Sequence, residues 1–404
     1  MVDSETLTPL HESNQEIEVS VVIPCLNEAQ SVGICVKKAR NTLKRLGICG
    51  EVVVADNGST DASAAIAECE GARIVHQPVR GYGSAYLAGI GAAQGKYIIM
   101  GDADDTYDFS NLEPFITPLR DGFDFVIGSR FQGNIHPGAM SWSHRYVGNP
   151  ILSGILNLFF GAGISDSHCG MRSFTRDAFE RMKLQTLGME FASEMVMRAI
   201  KGRLKVLEIP IDYYPRKGES KLNSFRDAWR HLRFMLLYSP TYLFLIPGTL
   251  LFLLGLLCTF LLLPGPVKIG GHAYDVHVMT VTSLLTLLGY QILHVGIYAK
   301  TYALRCGFEE RDRFISGLYQ IFNLERGLVV GGILFLFGFA MDARIAYQWV
   351  QSGFGPLDQI RPAILASVFM VLGVQTFFSA FFLSLLGIET QNSSSLSSHR
   401  KIDP

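Results

Sequence analysis

The sequence has no excess of basic residues: its 404 residues include 35 Lys and Arg against 36 Asp and Glu, a formal net charge of −1. Binding to a phosphate backbone depends on a basic surplus, so the composition argues against a nucleic-acid partner. The seven cysteines form no Cys-x-x-Cys pair, which favours reduced thiols over zinc or disulfides. No internal repeat is evident. Residues 1–18 are polar and lack the pattern of a signal peptide, so we expect a flexible N-terminus and no export of the first domain.

Apolar residues, in contrast, make up 49% of the chain, and they are unevenly distributed. Residues 19–222 have the composition of an ordinary α/β domain, whereas residues 241–388 contain long apolar runs. Each run is close to the roughly twenty residues that a membrane-spanning helix needs. We therefore predict four transmembrane helices, at residues 241–263, 277–299, 327–349 and 363–387.

The loop after the second predicted span carries most of the positive charge near the membrane. By the positive-inside rule, this places the α/β domain, that loop and the C-terminal tail in the cytoplasm. Residues 223–240 are predicted to form a juxtamembrane amphipathic helix, and the Ser-rich residues 389–404 a disordered tail. Residues 147–162 read as a second amphipathic helix, which either lies on the membrane surface or belongs to the core. The basic loop residues are Lys300, Arg305, Arg311, Arg313 and Arg326.

Short apolar strands alternate with helices over residues 18–100, which predicts a mostly parallel sheet with helices on both faces. The predicted strands are residues 18–24, 51–55, 73–75 and 97–100. In such sheets, ligands bind at the carboxyl ends of the strands. A cluster of polar or glycine residues follows each strand, and we expect these clusters to meet at one edge of the sheet.

Two carboxylates, Asp102 and Asp104, follow the strand that ends at Met100. Carboxylates at the end of a buried strand are costly to leave unpaired. Mg²⁺ is commonly held by one or two carboxylates together with substrate phosphates. A lone Asp-x-Asp also occurs in solvated turns, but the neighbouring polar clusters favour a Mg²⁺ or Mn²⁺ ion that binds a nucleotide diphosphate.

The other strand ends supply candidate donor contacts. Asp56 can accept hydrogen bonds from a base or ribose, while Asp61 is expected to cap the helix that follows. The glycines before the third helix suit close approach by an anion. The candidate residues are Pro24, Asn27, Glu28, Asp56, Gly58, Ser59, Arg80 and Gly81.

Basic residues further along the chain could bind phosphate. Arg130 and Arg145 could form a bidentate clamp, although arginines are common on any protein surface. The segment that contains Arg216, Ser220 and Lys221 has two interpretations: attraction to anionic lipid, or a flexible lid over a diphosphate.

Five motifs, in this order and spacing, resemble glycosyltransferase family 2. The chain is most similar to its polyprenyl-phosphate glycosyltransferases, the group of dolichol-phosphate mannose synthase and bacterial polyprenyl-phosphate glucosyltransferases. The match covers about residues 19–235. The motifs are Val21–Pro24 with Asn27 and Glu28, Asp56–Asp61, Asp102–Asp104, Gly128–Arg130 and Gly218–Leu222.

The resemblance implies a GT-A fold, the nucleotide-diphospho-sugar transferase domain, and a role for each residue of the donor site. It implies that Pro24, Glu28 and Asp56 face the base of a nucleotide sugar. Asp102 and Asp104 would serve the ribose and the metal, with Asp104 as the main metal ligand.

The resemblance also assigns the basic residues. Arg130 and Arg145 fall where the family holds the lipid phosphate. The lid over the donor diphosphate would use Arg216, Ser220 and Lys221.

The chain departs from the family pattern directly after Asp104. Members often continue with Leu-Gln, and the Gln assists at the metal, whereas this chain has Asp105 and Thr106. The third metal ligand is therefore open, with Thr106 or Asp105 as replacements, directly or through water.

Asp166 lies where many inverting relatives place an acidic residue near the acceptor. A hydroxyl acceptor needs a general base, but a lipid phosphate is already an anion, so we expect Asp166 to position other groups. Glu190 and Glu194 lie in the same region and could equally pair with Arg198 or Lys201 on a helix.

The expected function is inverting transfer of a hexose from a UDP- or GDP-sugar to a polyprenyl phosphate, by in-line attack of a phosphate oxygen. A bacterial inner membrane is the expected location, and a homo-oligomer through the membrane helices is open. One rival is a processive polysaccharide synthase, although these usually carry Gln-x-x-Arg-Trp where this chain has Asp227–Arg230. The other is an inactive nucleotide-binding scaffold, against which the retained Asp102 and Asp104 argue.

Overall fold

The computed structural model describes residues 16–218, 224–305, 317 and 324–387. It divides into two compact units, Met1–Met235 and Leu236–Pro404. The disordered tail expected at 389–404 lies outside the described residues, as do residues 1–15 of the N-terminus, Ser220 and Lys221.

The first unit is built on a sheet of seven described strands flanked by helices, in the order β3-β2-β1-β4-β6-β5-β7. The strands are β1 Val19–Cys25, β2 Gly50–Asp56, β3 Arg73–His76, β4 Tyr97–Met100, β5 Phe125–Ser129, β6 Arg172–Thr175 and β7 Val206–Pro210. The helices are α1 Val32–Arg45, α2 Ser63–Cys69, α3 Tyr82–Ala92, α4 Glu113–Arg120, α5 Asn149–Phe160, α6 Arg176–Met182, α7 Phe191–Lys201 and α8 Ser224–Leu237.

The sheet is mostly parallel, as expected from the alternation of strands and helices. Among the described strands of this sheet, β6 alone runs antiparallel to its neighbours, between β4 and β5. The central strands are largely apolar because both faces of the sheet are covered. Val21, Val53 and Ile99, for example, are completely buried.

The register of the strands brings the polar clusters together at one edge. Cys25 of β1 lies opposite Asp56 of β2, and Asp56 lies opposite His76 of β3. Strand β4 ends earlier, with Met100 opposite Val22. The turn that carries Asp102 and Asp104 therefore begins beside the last residues of β1.

The two amphipathic helices are both present. A π-helical turn, His144–Gly148, leads into α5, which buries Leu152 and Leu156 in the core and leaves Leu158 63% exposed. Helix α8 likewise buries His231 and leaves Trp229 53% exposed. Each helix thus packs one face against the rest of the first unit and has exposed apolar residues on the other.

The second unit contains four helices, within the described residues, that are long and apolar enough to cross a membrane. They match the four predicted spans. They are Thr241–Leu262, which comprises a π-helical turn and α9 (Ile246–Leu262), α10 (Val276–Arg305), α11 (Leu324–Gln351) and α12 (Ile360–Gly387). A short hairpin of β8 (Val267–Ile269) and β9 (His272–Tyr274) joins α9 to α10.

Glycines allow these helices to approach closely. A Cβ atom on Gly289 of α10 would lie 2.2 Å from the backbone nitrogen of Phe252, and one on Gly373 of α12 would lie 2.5 Å from that of Phe335. Small residues at such contacts let membrane helices pack through their backbones. The packing therefore pairs α9 with α10 and α11 with α12.

Candidate active site

Asp102 is held by two tyrosines of α3. Its Oδ1 accepts hydrogen bonds from the hydroxyls of Tyr82, at 3.0 Å, and Tyr86, at 3.2 Å. Its Oδ2 faces Gly170, where a Cβ atom would lie only 2.7 Å away. Burial and the neighbouring charge of Asp104 raise the pKa of Asp102 to about 6, although the tyrosine hydrogen bonds oppose the shift.

Asp104 connects the turn after β4 to the basic segment that contains Arg216. Its Oδ1 accepts hydrogen bonds from the backbone nitrogen of Thr106, at 3.2 Å, and from its hydroxyl, at 2.6 Å. Its Oδ2 lies 3.5 Å from Nη1 of Arg216, and the same guanidinium also forms an ion pair with Glu28. The structure thus brings three predicted residues, Glu28, Asp104 and Arg216, into one cluster.

Asp105 is engaged by two lysines. Its Oδ1 lies 2.8 Å from Nζ of Lys38 on α1, and its Oδ2 lies 2.7 Å from Nζ of Lys217. Asp105 adopts a left-handed backbone conformation, with φ of 60°, and its side chain is only 6% exposed. Both carboxylate oxygens are therefore committed to ammonium groups, an arrangement that fastens the start of the predicted lid to α1.

The donor atoms at this edge suit a hard divalent cation. Carboxylate oxygens of Asp102 and Asp104, with the Thr106 hydroxyl beside them, are the ligand type that Mg²⁺ and Mn²⁺ take. Within the described residues, no three His, Cys, Asp or Glu side chains gather into a complete metal cage. A metal held here would need oxygens from a substrate as well, which is usual for Mg²⁺ at phosphates.

The residues that follow β2 form a turn that is held by hydrogen bonds. Asp56 accepts a hydrogen bond from the backbone nitrogen of Ser59 at 3.1 Å and lies 3.3 Å from Nδ1 of His76. Burial opposes ionisation of Asp56, but hydrogen bonds from Ser59 and His76 prevail and lower its pKa. Gly58 has φ of 84°, a conformation that glycine adopts without strain. The N-cap of α2 is Ala62, without a side-chain cap hydrogen bond, so the cap predicted at Asp61 is one residue out of place. Asp61 still accepts a hydrogen bond from the backbone nitrogen of Ser63, the first residue of α2.

The remaining donor-site candidates lie beside this turn. Oδ1 of Asn27 accepts a hydrogen bond from the backbone nitrogen of Thr60 at 2.7 Å, so the ends of β1 and β2 are directly connected. The backbone nitrogen of Glu28 donates to Ser63 at 2.8 Å. Pro24 is half-buried, and Arg80 is exposed.

Asn57 fixes the loop before α3. Its Oδ1 accepts a hydrogen bond from the backbone nitrogen of Gly81 at 2.7 Å, and its Nδ2 donates to the carbonyls of Gln77 and Val79. Gly81 has φ of 151°, and a Cβ atom there would lie 2.1 Å from the carbonyl oxygen of Leu187. The close approach to Leu187 requires glycine at this position.

Arg130 and Asp166 form a buried ion pair. Nε and Nη2 of Arg130 lie 2.6 and 2.8 Å from the two carboxylate oxygens of Asp166, and the backbone nitrogen of Arg130 lies 3.1 Å from the same group. The guanidinium also lies over the ring of Tyr213, 5.2 Å from its centroid. Arg145 has different surroundings, since its guanidinium lies over Tyr146 at 5.4 Å. The two predicted phosphate-binding arginines are thus held by different partners.

Three relevant residues were not predicted as site residues. Tyr82 and Tyr86 are spaced i and i+4 on α3, a spacing that places both hydroxyls on one side of the helix and could have drawn attention to them. Lys38 lies on α1, 67 residues before Asp105 in the sequence. Only its distant partner, Asp105, reveals its position beside the turn.

Two family models match this chain. Glycosyl transferase family 2 matches residues 20–183, and the glycosyltransferase family 2 C-terminal transmembrane region matches residues 297–387. A low-salt glycan biosynthesis hexosyltransferase of Haloferax volcanii, Agl6, is 41% identical over 396 residues, which cover 95% of each chain. The chain belongs to glycosyltransferase family 2. It is a membrane glycosyltransferase, and the resemblance inferred from the five motifs is confirmed.

Other similar proteins match about half of the chain. A dolichyl-phosphate hexose transferase of Haloferax volcanii is 31% identical over 210 residues, which cover 52% of this chain and 88% of that protein. Among solved structures, glucosyl-3-phosphoglycerate synthase of Mycobacterium tuberculosis is 20% identical, with a TM-score of 0.45, over 54% of this chain and 78% of that one.

Proposed function

We propose that this glycosyltransferase transfers a hexose from a nucleoside diphosphate sugar to a polyprenyl phosphate at the cytoplasmic face of the membrane, with inversion at the anomeric carbon. One observation carries the proposal. The strand-end carboxylates Asp102 and Asp104 share a cluster with Arg216 and Glu28, in a chain that also contains four membrane helices. The name of the related dolichyl-phosphate hexose transferase supports the class of acceptor.

The donor would lie across the edge formed by β1, β2 and β4. Asp56, at the end of β2, is the proposed contact of the base or ribose, beside Pro24 and Glu28. Arg216 would exchange its carboxylate partners for oxygens of the diphosphate, since a guanidinium binds phosphate with the same two-pronged geometry. In this proposal Ser220 and Lys221 extend the cover over the donor.

Asp102 and Asp104 are the proposed ligands of a Mg²⁺ or Mn²⁺ ion, with Thr106 beside them. The ion would neutralise charge that develops on the departing diphosphate. The hydroxyls of Tyr82 and Tyr86 hold Asp102 in place, and Thr106 holds Asp104. The chain therefore presents both carboxylates without the need for a large rearrangement.

Asp166 is unsuited to act as a general base in this arrangement. It is completely buried, and both of its oxygens are bound by Arg130. A phosphate acceptor needs no such base, because its oxygen is anionic at neutral pH. Arg130 and Arg145 are the proposed contacts of the acceptor phosphate, with Asp166 as the residue that positions Arg130.

The experiment is a transfer assay with the full chain in detergent. Purified protein is incubated with Mg²⁺ or Mn²⁺, polyprenyl phosphate and a panel of labelled UDP- and GDP-hexoses, and the lipid phase is analysed. We expect one donor to yield a lipid-phosphate-linked hexose. A polymer as the product would instead support a processive synthase, and nucleotide binding without any product would support an inactive scaffold.

A further inference from the structure

The first unit contains a series of hydrogen-bonded side chains that does not include the strand-end carboxylates. Ser153 Oγ lies 2.9 Å from Ser167 Oγ, which lies 2.9 Å from Nδ1 of His168. Nε2 of His168 lies 3.2 Å from Ser193 Oγ, and that oxygen lies 2.8 Å from Nδ1 of His231. We call these five residues the Ser–His chain.

The Ser–His chain connects four separate parts of the unit. Ser153 belongs to α5, Ser167 and His168 to the loop before β6, Ser193 to α7 and His231 to α8. The three serines are at most 3% exposed, and His231 is 6% exposed. Burial of polar groups this deep in the protein costs free energy unless they are hydrogen-bonded. The Ser–His chain therefore fixes the positions of the elements that it joins.

Both imidazoles are suited to a neutral role in the Ser–His chain. Burial lowers the pKa of His231 to about 4, and burial together with the neighbouring His231 lowers the pKa of His168. A neutral imidazole offers one donor and one acceptor. His168 can therefore bind Ser167 on one side and Ser193 on the other without a charge in the interior.

The loop at the centre of the Ser–His chain is in direct contact with the candidate active site. Residues 165–170 form this loop. Asp166 within it holds Arg130 through three hydrogen bonds. Gly170 packs against Oδ2 of Asp102, and its backbone nitrogen donates a hydrogen bond of 2.7 Å to the hydroxyl of Tyr107. A shift of the loop would therefore move groups on both the donor side and the acceptor side.

A buried arginine reinforces the same loop. Arg172 is completely buried and donates to the carbonyl oxygens of Ser167, Cys169 and Ala192, at 2.7 to 2.9 Å. Two of these carbonyls belong to the loop region, and the third belongs to α7. The loop is thus tied to α7 through its backbone and to α5 and α8 through the Ser–His chain.

We propose that the Ser–His chain is a positioning device that lets α5 and α8 hold the loop 165–170, and with it Asp166 and Arg130, in the geometry required for transfer. The inference rests on the proposed function for its catalytic part. The two ends of the Ser–His chain lie on the amphipathic helices α5 and α8, whose outer faces carry exposed apolar residues such as Leu158 and Trp229. His231 is a positioning residue in this scheme, because it acts on the site through Ser193 and His168.

The test compares three variants of the full chain. His231→Ala removes the last link, and His231→Asn keeps a side-chain polar atom near the place of Nδ1. Ser173→Ala is the matched control, since Ser173 is a completely buried serine whose hydroxyl donates to the carbonyl of Phe115 outside the Ser–His chain. The measurements are kcat, the donor KM and amide hydrogen exchange of residues 165–170.

We expect His231→Ala to lower kcat about tenfold, as the loss of one buried hydrogen bond would, with an unchanged donor KM. Hydrogen exchange of the loop should rise in the same variant. His231→Asn should restore most of both properties, and Ser173→Ala should change neither. If His231→Ala fails to fold, Ser193→Ala interrupts the same chain and serves in its place.

Two results would overturn the inference: unchanged kcat and loop exchange in His231→Ala, or equal effects in Ser173→Ala. A reduced melting temperature with normal kcat would also overturn it, because the role would then be structural only. Failure of the proposed function is distinguishable, since the wild-type chain would form no lipid-linked product while loop exchange still reports on the coupling.

Discussion

Replacement of Asp166 by Asn removes the carboxylate charge that is paired with the buried guanidinium of Arg130. The side chains of Asp166 and Arg130 are 0% and 8% exposed, so water cannot replace the lost carboxylate. Removing one partner of a buried pair costs roughly 3 to 5 kcal/mol. For a unit of this size, each kcal/mol shifts the melting temperature by about 2 to 4 °C, so the expected decrease is roughly 6 to 20 °C.

The assay is thermal unfolding of the full chain in detergent, followed by limited proteolysis of the first unit. Asp177→Asn is the matched control, because Asp177 is 74% exposed and pairs with Arg181 at 3.6 Å on the surface. Such pairs contribute about 0 to 1 kcal/mol. An Asp166→Asn variant that melts like the control, yet has lost activity, would refute the pairing argument and favour a proton-transfer role for Asp166.

Three further predictions concern the site and its support. Asp104→Asn should abolish turnover and the response to Mg²⁺ or Mn²⁺ while leaving the melting temperature intact; full activity in a metal titration would contradict the ligand assignment. Lys217→Ala should lower kcat/KM for the donor about tenfold, because the ion pair between Lys217 and Asp105 no longer holds the segment that carries Arg216. An equal effect on the lipid KM would argue against a donor lid. The free energy of unfolding should fall as the pH drops from 6.5 to 4, because the unfolded chain binds a proton at His231 that the folded chain excludes. His231→Asn should reduce this dependence in urea unfolding at several pH values, leaving the contribution of the buried His168, and an unchanged slope would contradict it.

Local features of the sequence were sufficient for much of the fold. The strands at Val19–Cys25, Gly50–Asp56 and Tyr97–Met100 are short apolar runs that end in turn-forming residues, and each lies within two residues of its predicted position. The four membrane helices follow from the length of their apolar runs. Parallel strands align their carboxyl ends, so the meeting of Asp56 and Asp102 at one edge also followed from the sequence.

Contacts between distant residues could not be predicted in the same way. Lys38 is 67 residues from Asp105 in the sequence, and Arg130 is 36 residues from Asp166. Neither pairing leaves a local pattern, because it depends on how the sheet brings separate loops together. The antiparallel insertion of β6 between β4 and β5 is of the same kind, since a four-residue strand carries no signal of its partners.

The central claim is that the acceptor is a lipid phosphate whose own oxygen attacks the donor. The most direct measurement compares polyprenyl phosphate with the corresponding polyprenol, at equal concentration and with the same labelled nucleotide sugar. We expect a lipid-linked hexose from polyprenyl phosphate alone, because Asp166 is bound to Arg130 and no proton needs to be removed from a phosphate. Efficient transfer to the polyprenol would contradict it.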